Sequence, residues 1–154
     1  MTVKRHEIVE DLNRLMAEEA EACLRYFQMR FRVRGKGRRA VETFFEDALK
    51  ETLEHADAIA KQIHALGHVP TLRIHLTLGG GPMRAEDALA EALDVEQQAL
   101  DAYKELLPRV IGDTVLEAFI RKQIDVETEH VQEIRETACI GTSLRVIAKT
   151  AIDR

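Results

Sequence analysis

The sequence predicts an all-α bundle of four long helices joined by one long crossover, on three observations. Only three prolines and eight glycines occur in 154 residues, and six of the glycines fall within 35–37 and 67–81. Apolar residues recur at helical spacing over four long stretches. The links between those stretches are short, long and short.

The first helix is expected from about Lys4 to Val33, with Ile8, Leu12, Leu15, Ala22, Tyr26 and Val33 on one face. Gly35-Lys36-Gly37 ends it. The second is expected from about Arg38 to Leu66, with Val41, Phe44, Phe45, Ala48, Ile59 and Ile63 as its stripe. Gly67 suits a C-terminal cap and Pro70 follows it. Residues 67–84 have no helical period. The third helix is expected from Ala85 to Val110, with Leu89, Leu93, Leu100, Tyr103 and Leu107, and with Pro108 in its last turn. Gly112-Asp113 separates it from a fourth, Thr114 to Cys139, carrying Leu116, Phe119, Ile120, Val131 and Ile134. After Gly141, residues 144–152 read as a short amphipathic fifth helix.

Short first and third links make helices one and two, and three and four, antiparallel neighbours. A 28-residue helix is about 42 Å long, and the extended middle link reaches about 55 Å. It can therefore cross the whole bundle and set helices two and three parallel, the ferritin-like topology. The length suits a single domain over residues 1–154.

Apolar residues make up 45% and charged residues 32%, which suits a folded soluble chain. Twenty-two basic against 27 acidic residues give a net charge of −5, which argues against a nucleic-acid partner. The one basic cluster, Arg30, Arg32, Arg34, Lys36, Arg38 and Arg39, reads as a solvated helix end and turn. No apolar run approaches the ~20 residues of a membrane span. The N-terminal MTVKRHEIVEDL lacks the apolar core of a secretory signal, so a cytoplasmic location is expected. Cys23 and Cys139 read as reduced core fillers. His6, His64, His68 and His75 read as surface or loop residues.

Each apolar stripe is interrupted by ionisable residues: Glu19 on the first helix, His55 on the second, Glu96 on the third, Glu127 and His130 on the fourth. Buried carboxylates are costly unless compensated. Two cations compensate several carboxylates and two imidazoles together. Glu127 and His130 are three apart, hence on one face, and a facing carboxylate can bridge to a second ion. Oxygen and imidazole ligands without thiolate suit iron or manganese, and also zinc.

On these residues the sequence resembles the bacterioferritins and other ferritin-like di-iron carboxylate proteins. The resemblance runs through Leu12-Asn13-Arg14-Leu15, Glu19 to Tyr26-Phe27, Glu54-His55-Ala56-Asp57, Glu96, and Glu127-Thr128-Glu129-His130. It implies terminal ligands at Glu19 and Glu96, histidine ligands at His55 and His130, and a bridging ligand at Glu127. It further implies a dinuclear iron centre in which these five residues oxidise ferrous iron with dioxygen or peroxide. The family stores the ferric product in a homo-oligomeric shell of 24 subunits, with the fifth helix at shell contacts.

Two positions depart from the family pattern. The second bridging glutamate, three residues before His55, is Thr52, and Glu51 is the neighbouring candidate for a metal ligand. The usual haem methionine is Leu53, which cannot ligate iron, so haem is not expected. Two alternatives follow: a shell subunit with a weakened metal centre, and a different ferritin-like di-metal oxidase or peroxidase.

Overall fold

The computed structural model describes residues 2–152, with side chains over residues 5–139. Its elements are α1 (Thr2–Arg32), β1 (Val33–Arg34), α2 (Arg38–Ala65), β2 (Met83–Arg84), α3 (Ala85–Val110) and α4 (Thr114–Ile152). The first three expected helices are found within two residues of their expected ends. Among the described residues no helix is long and apolar enough to cross a membrane.

The crossover climbs α1 from near its start to its end. The Thr71 N–H donates to Asn13 Oδ1 at 2.8 Å, and the His75 N–H donates to Glu21 Oε1 at 2.7 Å. The Arg32 guanidinium then holds the Gly80 and Gly81 carbonyls. From Asn13 to Arg32 the helix rises about 28 Å, and the ten-residue step from Thr71 to Gly81 spans about 33 Å when extended. The loop closes on a two-residue parallel bridge, Val33 to Met83 and Arg34 to Arg84. This returns the chain to the end of the bundle where α2 began, so α2 and α3 run parallel. Elsewhere in the basic cluster Arg30 stacks on Phe27 and Phe31, and Arg38 pairs with Glu42.

Helix ends follow their local chemistry. At the end of α2 the Gly67 N–H bonds the His64 carbonyl and the His68 N–H bonds the Ile63 carbonyl, with Gly67 at φ +82°. That reciprocal pair is the Schellman arrangement, and it needs a left-handed residue at Gly67. Gly67→Ala is expected to destabilise the fold by about 1 kcal/mol, read as a lower urea midpoint with an unchanged slope; an unchanged midpoint would refute it. At the start of α4 the Asp113 carboxylate accepts the Leu116 N–H at 3.1 Å, an N-terminal cap.

Two expectations are corrected. The fifth helix expected at residues 144–152 is not separate, because α4 continues without a break to Ile152. A single glycine costs a helix only about 1 kcal/mol, and no proline follows to stop it. Cys139 is exposed and not a core filler, five residues past Ile134, the last α4 residue in the core among the described residues; Cys23 is half-buried, with its thiol donating to the Leu49 carbonyl.

The core is split in two. One apolar cluster gathers Leu12, Ile59, Tyr103 and Ile120. The other gathers Tyr26, Phe45, Ala92 and Ile134. Between them lies a buried layer of polar residues.

Candidate metal centre

The polar layer exists because the four stripes change chemistry at the same height. α1 contributes Glu19, α3 contributes Glu96, and α4 contributes Glu127, each buried. α2 contributes His55 and α4 also contributes His130, both half-buried. The helices thus bring together all five residues singled out on the stripes.

Glu127 is the middle of the arrangement and is only 1% exposed. Its Oε1 lies 3.0 Å from His55 Nδ1, and its Oε2 lies 3.6 Å from His130 Nδ1. Glu19 Oε2 approaches His55 Nδ1 at 3.5 Å, and Glu96 Oε2 approaches His130 Nδ1 at 3.2 Å. The two imidazoles stack 5.7 Å apart and within 14° of parallel. Two groups that could hold a metal ion result, Glu19-His55-Glu127 and Glu96-Glu127-His130, each with its donor atoms within 4.8 Å of one another. Glu127 belongs to both.

The outer oxygens of the two terminal carboxylates are held by tyrosines. Tyr103 donates to Glu19 Oε1 at 2.7 Å, and Tyr26 donates to Glu96 Oε1. Burial and the adjacent carboxylates push both phenols well above their ordinary range, so they remain donors. Each tyrosine turns the second oxygen of its carboxylate toward the middle. On the sequence both tyrosines fall on apolar stripes, where core packing is the expected role, with a hydrogen bond to a ligand the alternative for Tyr26. A signal for them was present: Glu19 to Tyr26 and Glu96 to Tyr103 are both seven residues, two turns on one helical face.

Glu51 stands apart from these groups. It is half exposed and meets His130 from the opposite ring edge, with its Oε2 3.0 Å from Nε2. A carboxylate on the second ring nitrogen orients an imidazole and leaves Nδ1 as the ligand atom. Thr52 is buried, and its hydroxyl donates to the Ala48 carbonyl at 2.5 Å. His6, His64 and His75 are exposed and His68 is half-buried, all outside the centre.

Electrostatics in this layer are set by burial against close pairing. Burial disfavours charged imidazoles, yet Glu127 and Glu19 beside His55 outweigh it and raise that histidine to about 10. His130 is raised to about 11, with burial again opposing and Glu127 and Glu96 prevailing. Burial also opposes the charge on Glu127, but the two imidazoles keep it below the usual carboxylate range. Glu96 and Glu19 are raised, mainly by burial.

Both Glu127 oxygens and His55 Nδ1 are buried without a well-formed hydrogen bond. Their neighbours stand at ion-pair distance, 3.0 to 3.6 Å, without forming a hydrogen bond. Buried polar atoms in that condition are costly, and a cation between them would satisfy all three. The donor set, carboxylate oxygen plus imidazole nitrogen, fits iron. Two cavities reach the centre. One of about 420 Å³ opens between α1 and α3, and one of about 320 Å³ between α2 and α4.

A family model described as a ferritin-like domain matches residues 9–138. No curated protein matches the chain. Among solved structures, a ferritin-like di-iron carboxylate protein from Bacillus anthracis is 24% identical, with a TM-score of 0.80 over 90% of this chain and 99% of its own. A dodecameric thioferritin from Bacteroides fragilis, described as bacterioferritin-related, is 23% identical, with a TM-score of 0.77 over 97% and 90%. A Dps protein from Bacillus brevis is 14% identical, with a TM-score of 0.81 over 89% and 98%. These likenesses are likenesses of fold.

Proposed function

The chain belongs to the ferritin-like domain family, and on that premise we propose that it binds ferrous iron as substrate and oxidises it with dioxygen or peroxide, for storage in a cytoplasmic homo-oligomer. The observation that carries this reading is Glu127, buried with one oxygen toward each histidine. A carboxylate so placed holds two cations side by side. Two ferrous ions give up one electron each, and dioxygen takes the pair with two protons to become hydrogen peroxide.

The roles follow from position. Glu19 with His55 and Glu96 with His130 hold one ion each, and Glu127 bridges them. Tyr103 and Tyr26 orient the terminal carboxylates. Glu51 orients His130, which departs from a role as direct ligand. The cavities give iron and oxidant a way in. The homo-oligomer is drawn from the Bacteroides fragilis protein, a dodecamer; light scattering distinguishes that size from a 24-subunit shell.

Anaerobic titration of the metal-free protein with ferrous iron, followed by air, tests the proposal. About two irons per chain and oxidation well above buffer are expected. No oxidation above buffer would refute it. The raised histidines add a pH dependence. Metal binding needs neutral imidazoles, and both hold their protons until about pH 10. Filling the centre at pH 7 to 8 should therefore release about two protons, and affinity should rise with pH. Titration calorimetry in buffers of different ionisation heat measures this; release of none would show that the histidines do not bind metal.

A second reading, a shell subunit with a weakened centre, is favoured by Thr52, whose hydroxyl is engaged with its own helix. It predicts no more than about one iron per chain and slow oxidation.

A further inference from the structure

The centre has an internal two-fold correspondence that fails at one position. Glu19 and Tyr26 on α1 correspond to Glu96 and Tyr103 on α3, and His55 on α2 corresponds to His130 on α4. Three residues before His130 stands Glu127, and three before His55 stands Thr52. Thr52 is 4% exposed, and its hydroxyl turns back to the carbonyls of Ala48 and Leu49. Glu51 does not take its place, because its carboxylate lies at the Nε2 edge of His130. Thr52 and Glu96 line both cavities, so the α2 side of the centre communicates with solvent between α1 and α3 and between α2 and α4.

We propose that Thr52 leaves a bridging position for a small oxyanion from solution, of the carboxylate, bicarbonate or phosphate class, so that loading of the second metal ion depends on that anion. The inference rests on the metal-binding reading above. The two ligand groups contain three carboxylates, Glu19, Glu96 and Glu127, against four positive charges on two divalent cations. Neutral imidazoles add nothing, and Glu51 is half exposed at the far edge of His130, outside both groups, so one positive charge is left over within the buried layer. An uncompensated buried charge is costly. A corresponding glutamate would cancel it, and a bound monoanion does the same. Cavities of about 320 and 420 Å³ admit any of these anions.

The test is anaerobic titration of the metal-free, full-length protein with cobalt(II), followed by calorimetry and visible absorption. The buffer is a weakly coordinating sulfonate, alone or with acetate, bicarbonate or phosphate. The first equivalent should bind alike in all four. The second should tighten by about tenfold or more with at least one anion, with a shift in the cobalt spectrum, and the arm with the largest effect identifies the source. Thr52→Glu should bind both equivalents without added anion. Thr52→Ala should keep the anion response, because the hydroxyl is not the ligand, and it serves if Thr52→Glu fails to fold.

Two tight equivalents in sulfonate alone, unchanged by any anion, would overturn the inference and leave the metal site standing. So would an undiminished anion response in Thr52→Glu, or its loss in Thr52→Ala. No cobalt binding in any buffer would overturn both this inference and the proposed function.

Discussion

Glu127→Gln should remove both metal ions at once, whereas Glu19→Gln or Glu96→Gln should weaken chiefly one. The reason is geometric: among the described residues Glu127 is the one carboxylate within reach of both histidines at Nδ1. The substitution keeps the shape and removes the charge. Losing an outer hydrogen-bond partner typically lowers metal affinity about 10–100-fold, and losing a shared ligand should exceed that. Iron oxidation should fall to the buffer rate. An isotherm that retains one tight equivalent would show that the two groups do not share this residue.

The same variant has a signature without metal. Raised histidines contribute stability that is complete below their unfolded value of 6.5 and lost as pH rises toward about 10. The lowered Glu127 contributes stability present above its unfolded value of 4.5 and lost below it. Both are views of one set of ion pairs. The melting temperature of wild type relative to Glu127→Gln, in chelator, should therefore peak between about pH 4.5 and 6.5 and decline on either side. A difference independent of pH would refute the pairing.

Phe45→Ala should cost about 3–5 kcal/mol of folding stability. Phe45 is fully buried, and its ring stacks on Tyr26 with centroids 5.4 Å apart. Tyr26 in turn donates to Glu96. The cavity should loosen the tyrosine that aims this carboxylate, so the Glu96-His130 side should lose affinity more than the Glu19-His55 side. Chemical denaturation gives the stability, and cobalt titration gives the two affinities. Phe27→Ala is the control: Phe27 is 52% exposed and should change stability by only about 0.5 kcal/mol. Equal losses at the two positions would mean that Phe45 is not a core residue.

Some features were legible because they are local. Helical periodicity in the stripes follows from side chains three and four residues apart sharing a face, and it placed α1, α2 and α3 closely. Gly67 is required by the backbone conformation at one helix end. Glu127 and His130 are one turn apart, and their convergence needs no knowledge of the other helices. Gly141 was misleading for the same reason, since a local breaker signal is weak enough for a helix to run through.

Other features depend on which faces meet. Tyr103 and Glu19 are 84 residues apart, and Tyr26 and Glu96 are 70 apart. Each tyrosine taken alone looks like core. Cys139 carries the period of α4 but is exposed, five residues past the core residue Ile134. Glu51 could be read from sequence only by its phase relative to His55 on α2, and its contact with His130 depends on how α4 docks.

The sequence by itself determined the first three helices, the start of the fourth, the long crossover and the five ionisable residues that interrupt the stripes, because spacing along one helix fixes what shares a face. The tertiary structure decided the tyrosine partners, the place of Glu51 and the joint access at Thr52, because those depend on the rotation and height at which separate helices dock.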